Sequence, residues 1–122
     1  MRYGSHDMAA EEFTARRRFP RIASHHSVLL KRLGDDLEEF ARTRTIALGG
    51  CSVVSGERIG AGSTLEILIA AEGGVITVRG RVIYENELPD GRFDLGIEFG
   101  DLSDEDAQRI QQVLENPREE GV

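Results

Sequence analysis

The run Ala15-Arg16-Arg17-Arg18-Phe19-Pro20-Arg21 places four arginines within six residues of a 122-residue chain whose formal net charge is -7. Arginine presents a planar fork of donors that grips phosphate in bidentate fashion and stacks on flat rings. Isolated in an acidic chain, such a cluster reads as a localised anion site and not as a diffuse basic surface. Non-specific nucleic-acid binding needs extensive phosphate neutralisation, which the acidic balance opposes. A small nucleic-acid-binding barrel would also need an aromatic stacking platform, and only Phe19 is interleaved with the arginines. The plain alternative for the run is a solvated basic arm, a common fate of charge runs.

No other residue types assemble into a reactive constellation. Adjacent residues on a strand point to opposite faces, so His25 and His26 cannot readily chelate one ion. An ordinary surface or strand-start role is expected for both. The single cysteine, Cys51, excludes an intrachain disulfide and supplies no metal-binding spacing. Flanked by Gly50 and Ser52-Val53-Val54, it reads as a small buried strand residue. No Ser-His-Asp or Cys-His arrangement can be built. The paired acids Asp35-Asp36, Glu38-Glu39, Asp104-Glu105-Asp106 and Glu119-Glu120 read as solvated turns, a helix cap and a tail. Neither glycine-rich segment joins a strand to a helix, as a phosphate loop or dinucleotide fingerprint must. The chain is therefore expected not to be an enzyme, and no metal or cofactor is expected.

The elements that must position the arginines are mostly strands. Ser27 to Leu33 reads as a first strand, Gly34-Asp35-Asp36 as a turn, and Leu37 to Ile46 as a second strand. The pair Gly49-Gly50 then makes a corner ahead of Cys51 to Val54, where glycine allows positive φ or close approach of another group. Leu65, Ile67 and Ile69 share a face, and Glu72-Gly73-Gly74 makes a hairpin turn. Ile76, Val78, Val82 and Tyr84 form the next inward set, interrupted by Gly80 where a barrel would bend. After the turn Pro89-Asp90-Gly91, the alternation of Phe93, Leu95, Ile97 and Phe99 is the clearest strand signal in the chain. The period then changes. Ser103 ahead of Asp104-Glu105-Asp106 resembles a capping box, and Ala107, Ile110, Val113 and Leu114 form a helical stripe that ends before Pro117.

About six short antiparallel strands and one C-terminal helix favour a small barrel, because closure removes exposed edges. The length fits one domain. The domain is placed at 16–116, after an N-terminal segment 1–15 expected to be disordered and before a tail 117–122. No apolar stretch approaches a membrane span and no signal-peptide pattern opens the chain, so a cytoplasmic home is expected.

With that layout, the chain resembles the PilZ domain family of bacterial cyclic di-GMP receptors over roughly Arg16 to Leu114. Arg17-Arg18-Phe19-Pro20-Arg21 matches the family's RxxxR motif through Arg17 and Arg21. The glycine corner and the closing run Phe93 to Phe99 with its helix add to the likeness. The resemblance implies a mainly β, six-stranded antiparallel barrel with a C-terminal helix, over whose mouth an arginine loop folds. It implies that Arg17 and Arg21 contact the phosphates and guanines, with Arg18 as a helper. The chemistry fits, because guanine O6 and N7 suit an arginine fork and guanidinium planes stack on purines.

The family's second motif, D/N-x-S-x-x-G, aligns with Thr45-Ile46-Ala47-Leu48-Gly49-Gly50. Gly50 matches, whereas Thr45 replaces the guanine-reading acid or amide and Ala47 replaces the serine. Losing both contacts would cost about 2–3 kcal/mol, on the order of a hundredfold in affinity. The resemblance thus implies a cyclic di-GMP-binding receptor or adaptor that changes loop conformation on binding and signals to a partner protein. The alternative is a degenerate domain that binds no nucleotide and serves as a protein-interaction module. The partners implied are cyclic di-GMP and an effector protein, with no nucleic acid and no membrane span; a homodimer is compatible with either reading.

Overall fold

A computed structural model of the chain describes residues 22–115. The expected N-terminal segment 1–15, the arginine run and the tail 117–122 lie outside the described residues.

Among the described residues, seven strands and a helix follow one another: β1 (Ile22–Ala23), β2 (Ser27–Arg32), β3 (Glu38–Ala47), β4 (Gly50–Ser55), β5 (Thr64–Ala71), β6 (Gly74–Glu87), β7 (Phe93–Phe99) and α1 (Asp104–Glu115). Their order in the sheet is β1-β3-β2-β5-β6-β7-β4, and β4 pairs back onto β3. Strands β2 to β7 thereby close into the expected six-stranded antiparallel barrel. Strand β1 is an addition to the expected set. It pairs with Thr45 and Ile46 on the edge of β3 opposite to β4, continuing the edge that β2 occupies at Arg42 and Ala41.

Period-2 patterning explains the closure. Val28, Leu30, Leu65, Ile67, Ile69, Ile76, Val78, Val82, Leu95 and Ile97 all point into the barrel and form one cluster. Gly80 occupies an inward position between Val78 and Val82, as expected. The helix starts where Ser103 Oγ accepts the Asp106 N–H at 3.0 Å, with acids filling its first turn. Its stripe delivers Ile110 and Val113 to the same core, so α1 plugs the barrel beside β6 and β3.

Two bulges break the period, one between Thr43 and Thr45 on β3 and one between Val82 and Tyr84 on β6. Each flips the residues beyond it to the other face. Tyr84, expected in the inward set, is therefore turned outward. His26 departs from expectation in the opposite sense. It is 1% exposed, and a chain of short hydrogen bonds links its Nδ1 to Ser24 Oγ at 2.6 Å and Ser24 Oγ to Thr43 Oγ1 at 2.6 Å. Thr43 Oγ1 in turn accepts the His26 backbone N–H at 2.8 Å. The polar cluster sits where the chain passes from β1 to β2, against Thr43 at the bulged stretch of β3.

The β4–β5 connection is gripped from both sides. Glu85 Oε2 accepts the N–H groups of Ile59 and Gly60 at 2.6 and 3.0 Å, and Arg32 donates to the Ile59 carbonyl. No helix among the described residues is long and apolar enough to cross a membrane.

Candidate ligand-binding face

Where β3 turns into β4, Ala47 pairs with Gly50 and Thr45 with Ser52. The hairpin is tight because Gly50 has no side chain. A Cβ there would lie 2.2 Å from the Ile97 carbonyl oxygen of β7, a backbone atom that cannot swing aside. Packing alone thus demands glycine at this position, whatever else the residue does. The bulge after Thr43 sends Thr45 to the outer surface while Thr43 stays inside. On the outside, Thr45 Oγ1 lies 2.8 Å from Ser52 Oγ, so each hydroxyl already has a partner.

The same surface continues across β7 and β6. Ser52 pairs with Gly96, and Gly96 with Tyr84. A Cβ on Gly96 would fall 2.0 Å from the Tyr84 ring, so the ring lies flat over bare peptide. One row across four strands therefore reads Thr45, Ser52, Gly96, Tyr84: two hydroxyls and a buried glycine covered by an aromatic ring. The neighbouring row reads Ala47, Gly50, Glu98, Arg81: a methyl, bare backbone, a carboxylate and a guanidinium. Below them Asp94 lies 3.4 Å from Arg44, and its buried Oδ1 makes no hydrogen bond among the described residues.

Of the expected site residues, Thr45, Ala47 and Gly50 converge on this face, Thr45 half-buried and the other two buried. Arg17, Arg18 and Arg21 lie outside the described residues. Ser52, Tyr84, Glu98 and Arg81 were not among the expected residues. Ser52 was within reach of sequence reasoning, since a hairpin that pairs 47 with 50 must set it near 45. Tyr84 was not, because its orientation depends on a bulge.

The face suits a flat, polar-edged ligand. It holds hydroxyl donors, a ring for stacking, a carboxylate for N–H donors and a guanidinium for anions. Among the described residues it sets no nucleophile against a base. Cys51 points into the core, where burial pushes its thiol up to about 12, far from a reactive thiolate. Among the described residues no group of three or more His, Cys, Asp or Glu could hold a metal ion.

Comparison with known proteins gives a consistent result. A family model for the PilZ domain matches residues 15–116. Among solved structures, the PilZ domain with c-di-GMP of YcgR from Escherichia coli superposes with a TM-score of 0.67 at 18% identity, covering 84% of this chain and 91% of that one. The Bacillus subtilis inhibitor of motility, MotI/DgrA, gives 0.67 at 20% identity over 83% of this chain and 50% of its own. The MrkH–c-di-GMP complex of K. pneumonia gives 0.67 at 21% identity over 83% and 51%. At these identities the likeness is one of fold, and the chain spans about half the length of the last two. No curated protein sequence matches the chain.

Proposed function

The chain belongs to the PilZ domain family, and from that premise we propose that it is a cyclic di-GMP receptor and adaptor whose ligand rests on the outer wall of β4 and β7. The observation that carries the reading is the meeting of Thr45, Ala47 and Gly50 on one outward face, within a family match that also spans Arg17 and Arg21. Two of the structurally similar proteins, YcgR and MrkH, are described with c-di-GMP. In this reading Arg17 and Arg21 hold the phosphates and stack on the guanines, and Arg18 assists. Thr45 and Ser52 offer hydroxyls to a guanine edge, Gly50 keeps the β3–β4 hairpin tight beneath the base, and the Tyr84 ring flanks it. Ala47 contributes no polar contact. Capture of the ligand by the arginines changes the surface presented to an effector protein, which is the signal. No chemical step on the ligand is part of the proposal.

A second reading has its own support. Thr45 already spends its hydroxyl on Ser52 at 2.8 Å, and Ala47 has no donor, so the wall fits a degenerate domain that binds protein alone. Titration calorimetry with cyclic di-GMP separates the two. The expected result is saturable heat and a raised melting temperature, both abolished by Arg17→Ala with Arg21→Ala. Wild-type protein with no heat and no thermal shift at high ligand concentration would overturn the receptor reading in favour of the interaction module.

A further inference from the structure

The wall on the other side of the barrel carries a pattern that ligand binding does not use. Strands β2 and β5 lie at its centre, flanked by β3 and β6. Cross-strand register aligns its outward side chains in rows. One row reads Glu38, Lys31, Glu66, Arg79 from β3 to β6. The adjacent row reads Phe40, Leu29, Leu68, Thr77, and beyond it Ala70 pairs with Val75. Phe40 is 75% exposed and Val75 52% exposed, large apolar surfaces to leave in water on a regular strand. The charged row alternates in sign. A row that reads minus, plus, minus, plus is complementary to itself when reversed.

We propose that this wall docks a second copy of the same chain about a two-fold axis that runs parallel to β2 and β5, between them. Such an axis lays β2 on β5 of the partner and β3 on β6 of the partner. Lys31 then faces Glu66 of the partner subunit and Glu38 faces Arg79 of the partner subunit, each contact occurring twice, as isologous symmetry requires. In the next row Leu29 meets Leu68 of the partner subunit, and Phe40 lies over Thr77 of the partner subunit. A two-fold axis laid across the strands instead would bring Glu66 toward Ala70 and leave its charge unmatched. The wall is convex, so β2 and β5 make the central contact, while the long Phe40 and Arg79 side chains reach across the widening gap. Charge pairs at such an interface set the register, and the apolar row supplies most of the burial. Within one chain, Lys31 and Glu38 form only a loose exposed pair at 3.9 Å, which leaves both available. Because β2 and β5 stand opposite β4 and β7, the proposal is independent of the ligand reading.

Sedimentation equilibrium and light scattering on the full chain test it. Wild type is expected at twice the 13.5 kDa chain mass, dissociating on dilution and in high salt. Lys31→Glu alone and Glu66→Lys alone each put like charges face to face, and each is expected to be monomeric. Mixed in equal amounts, the two variants regain opposite charges at both contacts, and the dimer returns as a heterodimer. That rescue separates the subunit contact from repulsion within one chain, where Lys31 and Glu66 are also neighbours and mixing changes nothing. Phe40→Ser, at a position too exposed to endanger folding, weakens the dimer about tenfold or more. A wild type that stays monomeric at high concentration overturns the proposal. So does a dimer indifferent to Phe40→Ser, or a mixture of folded charge variants that remains monomeric.

Discussion

The two opposite walls of this barrel are built from the same strand pairing and have opposite requirements. On the β4/β7 wall neighbouring groups close over the backbone at two outward positions, and both are buried. Gly50 and Gly96 have no side chains because Ile97 and the Tyr84 ring occupy that space. On the β2/β5 wall every outward position bears a side chain, and Phe40 stands almost free. A wall closed over such glycines is specified there by what cannot be added, so those positions tolerate little change. A wall that exposes side chains is specified by which atoms it offers a partner, so its substitutions alter association and leave the fold alone.

The largest test of that contrast is Gly50→Ala set against Phe40→Ser. The added methyl would lie 2.2 Å from the Ile97 oxygen, and β4 must part from β7 to admit it. Overpacking against backbone is expected to cost about 3 kcal/mol or more, lowering the melting temperature by over about 10 °C for a domain of this size. Phe40→Ser removes an exposed ring, and in dilute monomer it should change stability by less than about 0.5 kcal/mol. Thermal melts of both variants at low concentration decide the matter. Equal losses would erase the distinction between the walls.

How much of this was legible in the sequence follows the same division. Wherever strict alternation holds, as in Phe93, Leu95, Ile97 and Phe99, the inward-facing set could be read directly, with Phe93 only half-buried at the strand's start. The barrel, the helix cap at Ser103 and the inward Cys51 all followed from local pattern. The face of Tyr84 did not, since a single extra residue at the β6 bulge inverts every assignment beyond it. His26 was also illegible, because its burial depends on Ser24 and Thr43 reaching it across the β3 bulge. The candidate site could be read at Thr45, Ala47 and Gly50 through the motif they partly match. The contributions of Ser52, Glu98 and Arg81 come from register, which pairing fixes and composition does not.

A smaller effect sharpens the chemistry of the β4/β7 wall. Thr45→Asp with Ala47→Ser restores the acid and hydroxyl of the family motif, at positions that already face outward beside Gly50. Regained hydrogen bonds, one of them to a charged group, are expected to be worth about 2 kcal/mol, or roughly thirtyfold in affinity for cyclic di-GMP by calorimetry. The same pair should leave the oligomeric state untouched, because the other wall is unchanged. Unaltered affinity would mean that Thr45 and Ala47 do not face the ligand.

The smallest effect concerns the turns that end the two walls, where no difference is expected. Asp35, in the β2–β3 turn, accepts a hydrogen bond from the Arg32 guanidinium at 2.7 Å and another from the Leu37 N–H. Asp90, in the β6–β7 turn, accepts from the Arg92 N–H at 3.0 Å and from its guanidinium at 2.8 Å. These contacts hold both carboxyls below the usual carboxylate range, chiefly through the Arg32 guanidinium for Asp35 and the Arg92 N–H for Asp90. A carboxyl depressed on folding adds stability that is complete above its unfolded pKa, near about 3.9. That stability drains away as pH falls through the folded value, when the native state must also take up the proton. Both groups sit in water, so each contribution is slight. Melting temperatures followed from about pH 5 to about pH 2 should fall a little less steeply in Asp35→Asn and in Asp90→Asn than in wild type. The two variants should match, because each turn is closed by the same pairing of aspartate with a nearby arginine. A flattening confined to one of them would show that the walls differ even at their turns, and that one ion pair is ornamental.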